Sequence, residues 1–343
     1  MSQPPSARRF LLPLVPLYRL ALTLRDLRLG AGLEPVRRLR FPVVSVGSLS
    51  AGGSGKTPLT IALAKALTRR VLRVDVLSRG YGRRSQLPVR VNPDGTAEEF
   101  GDEPLLMACE TGVPVYVAGQ RYEAGLLAEA ERSADSRFGL HLLDDGFQHR
   151  QLHRDVDVLL LNRRDFTDSL LPAGNLREPL KAARRATIIA IPTPDESPSD
   201  ASEFETALRN WSWQGPIWRL HRNMEIPPVT GSVVAFCGIA RPEQFFAGLE
   251  TAGLHIAARI AFPDHHLYTA RNLDRLVARA REAGATALIT TEKDSVRLGR
   301  LSSAFTESLP LKTARLRIEI EREDETIASL ISRLALSLPH PPL

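Results

Sequence analysis

Cysteine is nearly missing from this sequence. Cys109 and Cys237 are the two it has, too few for a disulfide framework and without the paired spacing of a zinc knuckle or redox motif. A reducing cytoplasmic setting follows. Aromatic residues make up 6%, which leaves little material for a platform on which successive bases could stack. The basic pairs Arg37-Arg38, Arg83-Arg84 and Arg184-Arg185 are dispersed rather than gathered into a stripe, so nucleic acid is not an expected partner. A long hydrophobic run is also lacking at the N-terminus: the stretch from Phe10 to Tyr18 is broken by Pro13 and Pro16 and is followed by Arg19. It is too short to span a bilayer as a helix, and it has no small-residue cleavage site of the kind that ends a signal peptide.

What is present points elsewhere. The 343 residues, 43% of them hydrophobic, favour two domains over one. The net charge of +6 and isoelectric point near 9.7 call for an anionic partner, either nucleotide phosphates or membrane head groups. Leu17, Leu20, Leu24 and Leu27 recur at helical spacing, with Arg19, Arg25 and Arg28 among them. That pattern suits a helix lying in a membrane interface and equally one packed on its own domain.

From Phe41 onward, short β-branched runs alternate with helical stretches, the signature of a mostly parallel α/β sheet flanked by helices. Strands are expected over residues 42–46, 71–77, 139–143, 157–161 and 187–191, with helices after Gly55 and Arg121. A polar, proline-rich passage at 192–200 reads as an excursion or linker. A second α/β run follows, with strands expected at 232–237, 254–261 and 286–291, and at 316–320 as a late edge. These readings divide the chain into an N-terminal interfacial helix (1–30), a P-loop domain (31–225) and a smaller α/β domain (226–343).

The strongest single feature is Ser50-Ala51-Gly52-Gly53-Ser54-Gly55-Lys56-Thr57, placed between an expected strand and an expected helix. Its glycines let backbone N–H groups close around a phosphate, and the helix N-terminus adds partial positive charge. Lys56 would neutralise the terminal phosphates of ATP and the Thr57 hydroxyl would ligate Mg²⁺. The usual pattern opens with glycine where this chain has Ser50; Gly52 and Gly53 are the residues available to compensate.

Carboxylates for the metal are expected at the exit of an apolar strand, and Leu140-His-Leu-Leu-Asp144-Asp145 supplies two. The ordinary alternative is a turn before Gly146. Gly101-Asp102-Glu103-Pro104 offers either a general base for an attacking hydroxyl or a helix N-cap. Phe262-Pro-Asp264-His265-His266 carries histidines able to relay a proton, too few for a zinc site. Thr291-Glu-Lys-Asp294 closes another strand, as part of a ligand-facing edge or as a solvated charge cluster.

Taken in order, Ser45–Pro58, Leu77-Ser-Arg-Gly-Tyr-Gly82, Gly101–Pro104, Leu143-Asp-Asp-Gly-Phe-Gln-His-Arg150, Leu171-Pro-Ala-Gly-Asn-Leu-Arg-Glu-Pro179, Phe262–His266 and Thr291–Asp294 resemble the tetraacyldisaccharide 4′-kinase family over most of the chain. The resemblance implies transfer of the ATP γ-phosphate, with Mg²⁺, to the 4′-hydroxyl of a tetraacylated glucosamine disaccharide 1-phosphate. It also implies Asp102 as catalytic base with His265 as partner, Lys56 in catalysis, and Thr57, Asp144 and Asp145 around the magnesium. Arg79 and Glu103 fall near the substrate in that scheme. The acyl chains of such a substrate imply work at the cytoplasmic face of a bacterial inner membrane, peripheral or monotopic, with the N-terminal helix on the membrane surface. A monomer is the default expectation. Two other readings share the phosphate loop: a kinase for a soluble metabolite, and a nucleotide-driven switch whose hydrolysis yields no phosphorylated product.

Overall fold

The computed structural model describes residues 6–70, 72–132, 139–193, 198–305 and 309–337. In chain order the elements are α1 (Val15–Gly30), β1 (Val43–Ser48), α2 (Lys56–Thr68), β2 (Arg73–Ser78), β3 (Val89–Arg90), α3 (Ala97–Phe100), α4 (Asp102–Thr111), β4 (Val115–Val117), α5 (Arg121–Ala130) and β5 (Gly139–Asp144). They continue with β6 (Val156–Leu160), β7 (Ile188–Thr193), α6 (Pro198–Asn210), β8 (Ile217–Glu225), β9 (Ser232–Cys237), α7 (Pro242–Thr251) and β10 (His255–Ala261). The last are α8 (Ala270–Glu282), β11 (Ala287–Thr291), α9 (Glu292–Leu298), β12 (Leu311–Ile320) and α10 (Glu323–Ser337). The expected strand at 71–77 appears as β2, with Val71 outside the described residues, as are 194–197 of the proline-rich passage.

Among the described residues, twelve strands join one sheet in the order β10-β9-β11-β12-β8-β7-β6-β1-β5-β2-β4-β3. Its pairs are parallel except β3 with β4 and β8 with β12. Parallel strands buried on both faces read as continuous apolar runs, which is why β1, β6 and β9 were legible. The segment 316–320, expected at an edge, belongs to a strand that lies inside the sheet, while its own residues pair with β8 alone. It forms the end of β12, which pairs parallel with β11 on one side and antiparallel with β8 on the other. Alternating exposure along β12 and β8 suggests an edge from sequence, yet the two cover each other's backbone groups and carry the sheet across residue 225.

β1 lies centrally, and β5 pairs with it so that Val46 stands opposite Asp144. That register sets the phosphate loop and the acidic pair side by side at the carboxyl ends of adjacent parallel strands, where ligands of open α/β sheets bind. The approach is close. A side chain on Gly47 would meet the Cβ of Phe147, with the Phe147 nitrogen 2.8 Å away. Gly47→Ala is therefore expected to cost about 1–3 kcal/mol through overpacking, read as a lowered urea midpoint with unchanged slope; an unchanged midpoint would mean that the contact yields freely.

On α1, Val15, Tyr18 and Leu22 pack against the core formed by Leu49, Phe147 and Leu159. The Tyr18 hydroxyl donates to the Arg177 carbonyl oxygen at 2.8 Å. Arg25 pairs with the buried Glu178 at 3.1 Å, and Arg150 with Asp26 at 2.7 Å. The opposite face leaves Leu17 67% and Leu27 62% exposed, with Leu20 and Leu24 between them. No described helix is long and apolar enough to cross a membrane.

Candidate active site

Between β1 and α2 the chain turns through Gly52, Gly53 and Gly55, all at positive φ (65°, 57° and 92°). Side-chain-bearing residues adopt this region at a cost, so the loop's curvature depends on these three. Ser50 needs no such freedom. It sits in an isolated antiparallel bridge with Leu176, flanked by Ala51 N–H to the Asn175 oxygen at 2.8 Å and Arg177 N–H to the Leu49 oxygen at 2.7 Å. This lacing accounts for the departure from glycine at the head of the motif and gives Leu171–Pro179 its structural task. Lys56 Nζ donates to Ser48 Oγ (3.3 Å) and Ser54 Oγ (3.1 Å) and lies 3.6 Å from Asp145. Thr57 is buried at the head of α2.

The two aspartates part company, as adjacent residues at a strand exit must. Asp144, 2% exposed, accepts from Thr60 Oγ1 at 3.1 Å. Burial pushes its carboxyl up to about 7, with Glu103 and Asp145 adding to the rise and Lys56 opposing it. Asp145 turns the other way through a positive φ of 47°. Burial would raise its carboxyl, but Lys56 and Arg177 hold it below the usual range. Arg177 Nη1 reaches both its oxygens, at 3.0 and 2.8 Å.

A second constellation spans the sheet's two runs. Asp102, 5% exposed at the start of α4, has Oδ2 within 3.1 Å of His265 Nδ1 and 2.8 Å of Arg297 Nε, and Arg297 Nη2 donates to the same oxygen. Its other oxygen accepts from the Glu103 N–H at 2.9 Å. Burial alone would raise the Asp102 carboxyl; His265, Arg297 and Lys293 outweigh it and hold the group far below the usual carboxylate range. The hydrogen bond to Asp102 in turn raises His265, against the effect of burial. His265 is half-buried, at a positive φ of 59°, with the Tyr81 ring 5.3 Å away.

The family model for tetraacyldisaccharide-1-P 4′-kinase matches residues 7–335 of this sequence. The chain belongs to that family. Among its relatives, the tetraacyldisaccharide 4′-kinase of Koribacter versatilis (strain Ellin345) is 40% identical over 331 residues, 93% of this chain and 97% of the relative. That of Aquifex aeolicus (strain VF5) is 36% identical over 337 residues, 95% and 99% of the two chains. A crystal structure of LpxK from Aquifex aeolicus in complex with ATP superposes with a TM-score of 0.74 at 34% identity, covering 96% of this chain and 99% of that one.

The remaining expected residues are less central in this family member. Arg79 is exposed at the exit of β2, close enough to weaken the basicity of Arg121 and His149. Glu103 makes an ion pair with Lys293, so it ties α4 to α9 while lending negative charge near Asp144. The Thr291–Asp294 motif proves anything but solvated. Asp294 is fully buried and accepts from Gly238 N–H, Tyr268 Oη and Arg297 Nη1, each at 3.0 Å, with Thr291 Oγ1 on its other oxygen at 2.6 Å.

Sequence reasoning assigned no role to Arg177, Arg121 or Arg297. Arg177 sits inside the Leu171–Pro179 motif, where a basic residue suits an acidic pair. Arg297 follows Asp294 by one helical turn, a spacing at which opposite charges meet. Arg121, buried at the head of α5 with its Nε lacking a partner among the described residues, gave no local signal.

Proposed function

We infer that this chain transfers the γ-phosphate of ATP to the 4′-hydroxyl of tetraacyldisaccharide 1-phosphate, giving the bisphosphorylated lipid A precursor. The observation that carries the reading is the meeting of Asp102 and His265 across the sheet, on the same side as a phosphate loop and an acidic pair. A nucleotide switch has no need of such a pair.

Mg²⁺ fits the donor set. Asp144 is a buried carboxylate raised by unfavourable surroundings, which a divalent cation would relieve, whereas Asp145 already has Arg177 and Lys56. Asp144 with the Thr57 hydroxyl is the better ligand pair, and Asp145 serves to orient Lys56. Bound there, the ion would neutralise charge on the terminal phosphates as they separate. The loop amides and Lys56 hold the phosphates; Arg177 fixes Asp145.

The proton of the acceptor hydroxyl goes to the Asp102–His265 pair. Asp102 alone makes a poor acceptor, since Arg297 and His265 crowd one of its oxygens and stabilise its anion. We assign it the task of holding His265 by Nδ1, leaving Nε2 as the base, with a basicity that the hydrogen bond to Asp102 raises. Because Asp102 raises His265 above its ordinary 6.5, the neutral, competent form is lost as pH falls through a value above 6.5. The acid limb of kcat/KM should lie there. In Asp102→Asn the His265 titration followed by NMR should move down; an unmoved midpoint would return the base to Asp102.

The exposed leucines of α1 support contact with the membrane that holds the substrate's acyl chains. Arginines beside them suit the anionic head groups of a cytoplasmic leaflet. We read the protein as peripheral or monotopic there.

Incubation with γ-labelled ATP and tetraacyldisaccharide 1-phosphate in detergent micelles tests the reading: labelled lipid is expected. ATP-binding protein that labels only soluble acceptors, or releases only phosphate, would overturn it.

A further inference from the structure

The phosphate loop touches a cation that its own motif does not include. Arg222, in β8, reaches 168 residues back along the chain so that Nη2 donates to the Ser54 carbonyl oxygen at 2.6 Å. The same nitrogen stands 2.9 Å from where a Gly55 side chain would begin. Its Nε is buried and has no partner among the described residues.

The charges around it make the arrangement unusual. Burial lowers the basicity of Arg222, and Arg241, itself positive, lowers it further; no carboxylate opposes either effect. Arg241 lays its methylene stem against Gly53, 3.0 Å from the position a side chain would occupy there. Asp165 and Asp168 lie near enough to stabilise the Arg241 cation. Arg222 thus stands out: a partly buried guanidinium beside the phosphate loop, with its Nε fully enclosed, without a counter-ion, using one donor on a neutral carbonyl. Burying a charge this way is costly unless an anion arrives to pair with it. A brace for Ser54 could be built more cheaply from a neutral side chain. A planar guanidinium with free donors is suited to phosphate oxygens.

We propose that Arg222 is a phosphate-contacting residue of the nucleotide site, placing a second positive charge beside Lys56 on the phosphate chain of ATP. The proposal rests on ATP being the phosphoryl donor and adds a contact from outside the loop. Because Arg222 stands opposite Ile318 in the β8–β12 pairing, bound nucleotide would also engage the strand pair that joins the two runs of the sheet.

The test compares Arg222→Met, Arg222→Lys and wild type in ATP kinetics and in binding of ADP and adenosine. Arg222→Met should lower kcat/KM for ATP and the affinity for ADP by about tenfold to a hundredfold, as loss of a charge-assisted contact does. The KM for lipid and the affinity for adenosine, which has no phosphates, should stay within about twofold of wild type, and lysine should recover part of the loss. A lowered melting temperature with ADP affinity unchanged would reduce Arg222 to a brace for Ser54 and overturn the proposal. ADP binding is measured without lipid. A wild-type protein that fails to label the lipid would thus sink the kinase reading while leaving this one standing or falling on its own result.

Discussion

Asp102→Ala is expected to lower kcat for lipid phosphorylation about a thousandfold, within the range that loss of positioned acid–base catalysis produces. ATP binding should barely change, because Asp102 lies in α4 and touches His265 and Arg297 rather than the phosphate loop. The variant should still fold. Arg297 keeps Asp294 at 3.0 Å and the Gly238 carbonyl oxygen as partners, so its charge is not stranded, and a fall of a few degrees in melting temperature is expected. His265→Ala should match it in kcat, and the double variant should be scarcely worse than either, since residues acting as one unit lose their effect together. Additive losses would mean that the two act separately.

Lys56→Ala should remove activity to a comparable or greater degree, about a thousandfold or more, by taking the fixed cation from the phosphates as charge develops there. Its signature differs. Lys56 holds Ser48, Ser54 and Asp145 together, so nucleotide affinity should fall as well as turnover, and arginine should not substitute, since a planar fork does not fit where one ammonium sits among three oxygens. Isothermal titration with ADP beside single-turnover labelling separates the two losses. Full ADP affinity in the alanine variant would count against the loop geometry described here.

How much of this could be read from sequence depended on distance along the chain. The phosphate loop lies within eight contiguous residues whose types dictate their own conformation. Asp144 announced itself by ending an apolar strand. Asp102 and His265 are 163 residues apart, and only family resemblance joined them; their local sequences suit an N-cap and a loop equally well. Arg297 and Arg222 lie farther still from the site groups they touch, Asp102 and Ser54, at separations of 195 and 168; only the link from Arg297 to nearby Asp294 is local. The strand pair β8 and β12 escaped for a related reason. Its polar, alternating residues look like linker and edge until each supplies the other's cover. Three-residue β4 was too short to leave a pattern.

The docking of α1 has a bearing on how this protein can be engineered. Tyr18 is bonded to the carbonyl oxygen of Arg177, and Arg177 grips Asp145, whose other neighbour is Lys56. Two residues on the protein-facing side of this helix, Tyr18 and, through Glu178, Arg25, thereby prop the scaffold from which the phosphate-handling lysine is aligned. Such a segment is not an interchangeable tether. A chimera carrying a foreign helix in its place should work poorly, and one that retains Tyr18 and Arg25 on the grafted helix should recover.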